Sequence, residues 1–146
     1  MAKYESFSEQ DTFFIGERMG QHATPGTVVA LDGDLGVGKT VFTKGFARGL
    51  GIEEDVVSPT FTIEQIYEEG RLPLYHFDIY RLEDEDEWYA IGADEALDSD
   101  GVCLIEWASK MPEIMPKDTI WVTIEKDLDK GFDYRIITIG EPEVSI

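Results

Sequence analysis

Two segments carry hydrophobic residues at helical spacing. Residues 8–20 begin with Ser8, and Asp11 follows three positions later, which is the spacing of a capped helix start. Residues 41–50 repeat the same period and are followed by Gly51, a residue type common at helix ends. The pattern therefore predicts one helix near the N-terminus and a second helix directly after a glycine-rich stretch.

Other segments show the patterns of strands. Two short continuous apolar runs, residues 28–31 and 102–105, predict strands that are buried on both faces. Alternating patterns predict two hairpins, residues 60–67 with 72–79 and residues 120–124 with 135–139. The acidic run 83–87 predicts the start of a short helix, because carboxylates stabilise helix N-termini.

Length and composition indicate a single globular domain. The chain has 146 residues, so we predict one domain over residues 1–146. No apolar run approaches the roughly 18 residues needed to span a bilayer, and the first residues lack a signal-peptide core or an arginine-rich transit pattern. We therefore expect a cytoplasmic protein without membrane contact. Cys103 is the single cysteine, which excludes an internal disulfide and a cysteine-based zinc site.

The charge balance limits the possible partners. There are 31 acidic and 12 basic residues, which give a formal net charge of −19. Affinity for nucleic acid comes largely from Lys and Arg that neutralise phosphates, and an acidic surface repels a polyanion. We therefore predict no binding to DNA, and contact with RNA only indirectly, through a basic partner. A role of the acidity in solubility alone stays open at this point.

A phosphate-binding loop lies between the first apolar run and the second helix. Residues 33–40 read GDLGVGKT, which matches the G-x-x-x-x-G-K-[ST] pattern in full. Lys39 is expected to reach the β- and γ-phosphates of ATP, and the Thr40 hydroxyl to ligate Mg²⁺. The other predicted nucleotide-binding positions are Asp34, Leu35, Gly36, Val37, Gly38 and Val41. This loop predicts an α/β fold of the P-loop NTPase type: a three-layer domain whose mostly parallel sheet is flanked by helices and extended by β-hairpins.

A P-loop ATPase also needs carboxylates at the ends of neighbouring strands. Glu106 is the first candidate for the metal site, because four apolar residues lead into it. Asp78 is the candidate for orienting the attacking water, although a structural pairing with Arg81 is an equal alternative. His76 lies two residues earlier, so in a strand it faces the same side as Asp78, as a catalytic or as a hydrogen-bonded structural residue.

The segment Ser58 to Thr62 is a candidate nucleotide-sensing loop. It reads SPTFT and lies between an apolar run and the predicted hairpin. Thr60 or Thr62 could contact Mg²⁺ or the γ-phosphate, whereas a turn with capping hydroxyls is the structural alternative.

Four motifs together resemble one protein family. The segments GDLGVGKT, SPTFT, YHFDIYRL and LIEW occur in the order and spacing of the TsaE family, the ATPase subunit of bacterial tRNA threonylcarbamoyladenosine synthesis. The resemblance extends from the first predicted helix to the last predicted strand. It implies a P-loop fold with ATP and Mg²⁺ as cofactors.

The resemblance also implies roles for individual residues. Lys39 would bind phosphate, Thr40 and Glu106 would hold Mg²⁺, and Asp78 would serve hydrolysis. Trp107 would lie beside the nucleotide. The switch candidates are Ser58, Thr60, Thr62, His76, Tyr80 and Arg81. Val41 stands where the family commonly has a second threonine, and Glu9, Ser109 and Lys130 are proposed for the adenine side without a motif.

The implied function is ATP hydrolysis coupled to the modification of tRNA. In the family, the ATPase works with TsaD and TsaB, which place threonylcarbamoyl on the adenosine beside the anticodon, and hydrolysis resets that complex. Two other functions fit the phosphate loop. One is a small-molecule kinase, although the chain has no basic or lid-like segment for a second phosphorylated substrate. The other is a nucleotide-gated docking module with little turnover.

Overall fold

Seven strands form one sheet in the part of the chain that the structure describes, residues 2–34 and 36–140 of a computed structural model. They are β1 (Ala2–Ser6), β2 (Val28–Asp32), β3 (Glu64–Tyr67), β4 (Leu74–Asp78), β5 (Val102–Glu106), β6 (Ile120–Lys126) and β7 (Arg135–Gly140). Their order in the sheet is β1-β7-β6-β2-β5-β4-β3. The strands β6, β2, β5 and β4 are parallel, whereas β3, β7 and β1 join by antiparallel pairing. The sheet is therefore mixed, with a parallel centre that hairpins extend on both sides.

In the described part of the chain, four α-helices connect the strands: α1 (Glu9–His22), α2 (Lys39–Gly49), α3 (Glu85–Ala90) and α4 (Ala93–Leu97). The predicted start of α1 is confirmed, because the Ser8 hydroxyl accepts a hydrogen bond from the Asp11 backbone N–H at 3.1 Å. The acidic run also opens a helix as predicted, and Asp84 caps α3 by accepting from the Glu87 backbone N–H at 3.1 Å.

The helices cover both faces of the sheet, which confirms the predicted three layers. On β2, Val29 and Leu31 belong to the core that includes Phe42 and Phe46 of α2. Val28 and Ala30 face the opposite core, which includes Trp88 of α3. The continuous apolar run is thus explained by burial on both faces.

Helices α1 and α2 pack closely because glycines stand at their contact. A Cβ atom on Gly45 would lie 2.0 Å from the carbonyl oxygen of Phe13, and one on Gly20 would lie 2.1 Å from that of Phe46. Any larger residue at these positions would force the helices apart. The close packing fixes α2, and with it the end of the phosphate loop, against the sheet.

The first predicted hairpin is shorter than its sequence pattern. Residues 60–63 do not join the strand, because the Ile63 backbone N–H donates to the Pro59 carbonyl and Ile63 has a φ of 70°. A turn therefore replaces the first half of the predicted strand. The second hairpin, β6 with β7, is confirmed. Strand β1 was not predicted, since four of its five residues are exposed and it lacks a hydrophobic pattern.

Candidate functional site

The phosphate loop follows β2 and runs into the first turn of α2. Gly33 has a φ of 154°, and a Cβ atom there would lie 2.7 Å from the Ile124 carbonyl oxygen. Gly38 has a φ of 113° and stands directly before Lys39, where α2 begins. These conformations are accessible to glycine and costly for other residues. They turn the loop around the positive end of α2, where backbone N–H groups bind anions in P-loop proteins.

The ammonium group of Lys39 is buried without a hydrogen-bond acceptor. The residue is 6% exposed, and its Nζ has no hydrogen-bond partner among the described residues. Nζ lies 3.6 Å from the centroid of the Trp107 ring, which gives a cation–π contact. Burial lowers the pKa of Lys39, although the carboxylates of Glu106, Asp78, Asp32 and Asp34 act in the opposite direction. This cation lacks the hydrogen bonds that an anionic ligand would provide.

Two buried carboxylates stand at the ends of neighbouring parallel strands. Asp78 of β4 and Glu106 of β5 are paired in register, and each is 3% exposed. They therefore share the sheet face that α1 and α2 cover. Carboxyl ends of parallel strands are the usual position of ligand sites in α/β folds.

Asp78 is held by the segment Ser58 to Thr62, which we call the switch segment, and by its own loop. Its Oδ2 accepts a hydrogen bond from the Thr60 hydroxyl at 3.2 Å, and its Oδ1 accepts one from the Tyr80 backbone N–H at 3.0 Å. Asp78 and Arg81 form no ion pair among the described residues, and the Arg81 guanidinium lies 5.5 Å from the centroid of the Phe61 ring. Asp78 therefore lies at the pocket with Thr60 and Tyr80 as its hydrogen-bond partners.

Glu106 has a different partner. Its Oε2 lies 2.6 Å from Nε2 of His76, and both side chains are buried. His76 and Asp78 share one face of β4, as the two-residue spacing predicts.

The phosphate loop, Asp78 and Glu106 line one pocket with a volume of about 270 Å³, whereas His76 is not part of its lining. Its lining brings together ten of the residues predicted from sequence: Gly36, Gly38, Lys39, Thr40, Val41, Ser58, Thr60, Asp78, Glu106 and Trp107. Thr62 is not part of this lining, and its hydroxyl accepts from the Gln65 amide at 3.3 Å. Asp34 is exposed in the loop. Leu35 lies outside the described residues.

Trp107 adopts a conformation that its sequence does not reveal. It has a φ of 64°, and its backbone N–H donates to the Leu31 carbonyl at 3.1 Å. Its ring stands between Lys39 and the Tyr80 ring, whose centroid is 4.8 Å away. A left-handed backbone conformation is uncommon for a large residue, and such conformations cluster at functional sites. Here it places an aromatic ring over the lysine of the phosphate loop.

A second groove of about 250 Å³ lies on the other side of the phosphate loop. Glu9, Phe132 and Arg135 belong to its lining, together with Val37 and Val41. Arg135 Nε donates to the Val37 carbonyl at 2.8 Å and so joins β7 to the loop. Of the three adenine-side candidates, Glu9 lines this groove, whereas Ser109 and Lys130 do not.

The two remaining adenine-side candidates contact other residues. The Ser109 backbone N–H donates to Asp32 at 3.1 Å, and Lys130 Nζ lies 3.9 Å from Glu5. The sequence patterns did not identify Phe132 and Arg135 as residues that line this groove. Phe132 is 78% exposed, and a hairpin pattern does not reveal such an exposure.

The donor set of the pocket suits Mg²⁺ bound together with phosphates. Within residues 2–34 and 36–140, no three His, Cys, Asp or Glu side chains are placed to form a metal cluster. Mg²⁺ is usually bound through one or two carboxylates, waters and substrate phosphates. The pocket supplies that smaller set, with the exposed Thr40 and the buried Glu106 beside the phosphate loop.

The chain is similar to proteins of one family over most of its length. The family model described as "Threonylcarbamoyl adenosine biosynthesis protein TsaE" matches residues 6–135. A Bacillus subtilis (strain 168) protein, named tRNA threonylcarbamoyladenosine biosynthesis protein TsaE, is 47% identical over 136 residues, or 93% of this chain and 83% of the relative. A Treponema pallidum (strain Nichols) protein of the same name is 40% identical over 141 residues, or 97% of this chain and 96% of the relative.

A solved structure has the same fold. The crystal structure of Bacillus subtilis YdiB superposes with a TM-score of 0.80 at 40% identity, and the match covers 97% of this chain and 85% of that chain. Separately, no helix in the described part of the chain has the length and apolar character needed to cross a membrane.

Proposed function

The chain belongs to the TsaE family, and we propose that it is a magnesium-dependent ATPase that serves tRNA threonylcarbamoyladenosine biosynthesis. One observation carries the proposal. The phosphate loop presents Lys39 as a buried ammonium that finds no acceptor among the described residues, next to the strand-end carboxylates Asp78 and Glu106. A nucleotide phosphate would provide the acceptor, because charge-assisted hydrogen bonds to phosphate are among the strongest in proteins.

The residues of the pocket divide the work of ATP hydrolysis. Lys39 and the loop backbone bind the phosphates and orient them toward the strand ends. Thr40 and Glu106 would hold Mg²⁺, which supplies charge neutralisation on the phosphate oxygens. Trp107 covers Lys39 on one side and keeps its ammonium in place by the cation–π contact.

Asp78 is the residue to which we assign the orientation of the attacking water. Its carboxylate is buried at the pocket and already accepts hydrogen bonds from Thr60 and Tyr80. A carboxylate accepts the proton of a water and turns the water's lone pair toward the phosphorus. Because Thr60 belongs to the switch segment, a movement of that segment would change the orientation of Asp78. A partner protein that moves this segment would therefore change the rate of ATP hydrolysis, which supports a turnover that depends on partners.

The charge of the chain supports a partnership with proteins rather than with bare tRNA. A net charge of −19 opposes direct contact with a polyanion. We infer that the chain acts on the complex of TsaD and TsaB, which transfers threonylcarbamoyl to the adenosine next to the anticodon, and that ATP hydrolysis resets this complex between turnovers.

The proposal is tested by measuring ATP hydrolysis and modified nucleoside in the same reconstituted reaction. The wild-type chain should hydrolyse ATP slowly alone and faster with TsaD, TsaB and tRNA. Asp78→Asn should keep ATP affinity, measured by calorimetry, and lose most of this turnover, because the amide cannot accept a proton. Asp118→Asn is the matched control, since Asp118 is exposed before the N-terminal end of β6, at the opposite edge of the sheet.

Each alternative function predicts a different result in this reaction. Full tRNA modification by Asp78→Asn would support a nucleotide-gated docking module. Transfer of the γ-phosphate to a small acceptor, rather than to water, would support a kinase. Unchanged hydrolysis in Asp78→Asn would contradict the role that we propose for Asp78.

A further inference from the structure

His76 is a buried histidine that the proposed hydrolysis does not use. It is 1% exposed on β4, and its Nε2 lies 2.6 Å from Oε2 of Glu106 on the neighbouring strand β5. Its other ring nitrogen, Nδ1, has no hydrogen-bond partner among the described residues. The interaction with Glu106 is therefore the one polar contact of the imidazole in this part of the chain. Because a carboxylate oxygen accepts, Nε2 carries the hydrogen and donates it.

The hydrogen bond occupies one side of the Glu106 carboxylate. Its second oxygen accepts no hydrogen bond from the described residues, and Glu106 lines the pocket of the phosphate loop. The last torsion of a glutamate side chain is broad, so burial alone does not fix which way the two oxygens face. A short bond to a residue on a neighbouring strand removes this freedom.

We propose that His76 is a positioning residue, which holds Glu106 so that the second carboxylate oxygen faces the Mg²⁺ of the nucleotide complex. The inference rests on the proposed function, in which Glu106 belongs to the metal site. Partners that hydrogen-bond a metal-binding carboxylate fix its orientation, and their loss typically lowers metal affinity by about 10–100-fold.

The test measures metal affinity directly. Free Mn²⁺ is titrated against the ADP-saturated protein and followed by electron paramagnetic resonance. His76→Leu should weaken Mn²⁺ binding by roughly 10-fold or more, whereas ADP affinity in the presence of EDTA should stay within about 2-fold of wild type, because no phosphate contact is removed. His76→Gln should retain most of the Mn²⁺ affinity, since its side-chain amide can place a donor near the position of Nε2.

Two further variants separate positioning from a general structural effect. His22→Leu replaces the other histidine of the chain, which is exposed on α1, and should bind Mn²⁺ as wild type does. In a Glu106→Gln background, His76→Leu should cause no further loss of Mn²⁺ affinity, because the carboxylate that His76 positions is already absent. If His76→Leu does not fold, His76→Asn takes its place, since the shorter amide cannot reach Glu106.

Several outcomes would overturn the inference. Wild-type Mn²⁺ affinity in His76→Leu would show that Glu106 needs no positioning. An equal loss in His76→Gln, or an additional loss in the Glu106→Gln background, would show that His76 acts on folding or by another route. Absence of Mn-ADP binding by the wild-type chain would contradict the proposed function itself and would remove the inference with it.

Discussion

Replacing Lys39 with Met should stabilise the nucleotide-free protein and at the same time weaken its binding of nucleotide. Lys39 Nζ is buried and has no hydrogen bond within residues 2–34 and 36–140, and burying an unpaired polar group costs about 1–3 kcal/mol, more if it is charged. The contact with Trp107 offsets about 0.5–2 kcal/mol of this cost. Methionine has a similar unbranched shape and no polar group. We therefore expect a net gain of about 1 kcal/mol, which raises the Tm by about 2–4 °C.

Mg-ADP should reverse the order of the two Tm values, so that the wild type becomes the more stable protein. A ligand at 100 times its Kd stabilises a folded protein by about 2.7 kcal/mol. The wild type should show this shift, whereas Lys39→Met lacks a charge-assisted phosphate contact of about 1.5–3 kcal/mol and should shift much less at the same concentration. Lys44→Met is the matched control on α2, because Lys44 is about half exposed and should have little effect on either measurement.

The difference between wild type and variant should also depend on pH. The pKa of Lys39 in the folded state is lowered from 10.5, chiefly by burial, so the unfolded chain keeps its proton to higher pH than the folded chain does. The contribution of Lys39 to the free energy of unfolding therefore becomes more favourable as the pH rises from the lowered pKa to 10.5. The amount by which the Tm of Lys39→Met exceeds that of the wild type should therefore decrease over this pH range. A lower Tm for the nucleotide-free variant at pH 7, or an equal shift with Mg-ADP, would refute the reasoning.

Two further predictions concern residues beside the pocket and in the core. Arg135→Gln should weaken ADP binding by about 10-fold in calorimetry, because the hydrogen bond from Arg135 to the Val37 carbonyl braces the phosphate loop; unchanged affinity would show that the loop holds its shape without it. Cys103 should resist thiol reagents at pH 8 until the protein unfolds, because burial raises its pKa to about 12; labelling of the native protein at the rate of a free thiol would contradict this.

Sequence patterns predicted the parts of the fold whose causes are local. The Ser8 cap, the phosphate loop and the apolar runs of β2 and β5 each depend on residues close together in the chain. The limits of local patterns are visible in residues 60–63, where an alternating pattern suggested a strand. A turn that follows Pro59 has no distinct hydrophobic period, and the pattern alone could not separate the two structures.

The arrangement of the site depends on contacts between distant residues. His76 and Glu106 are 30 positions apart, and the pairing of β4 with β5 brings them together. The sequence suggested that both residues are important, but the register of a parallel pair cannot be read from either strand alone. The same holds for Arg135 and Val37, which are 98 positions apart. The motifs therefore predicted the members of the pocket, and the tertiary structure was needed to assign their partners.

The charges around Lys39 give a physical reason to expect coupled binding of nucleotide and metal. The carboxylates of Glu106, Asp78, Asp32 and Asp34 are all close enough to Lys39 to affect its pKa. One ammonium cannot balance these four carboxylates and the phosphates of a nucleotide at the same time. Because like charges repel strongly in a partly buried site, a bare nucleotide should bind less tightly than its Mg²⁺ complex. The acidity of the pocket therefore favours an anionic ligand that a divalent cation accompanies, which agrees with the proposed magnesium-dependent ATPase activity.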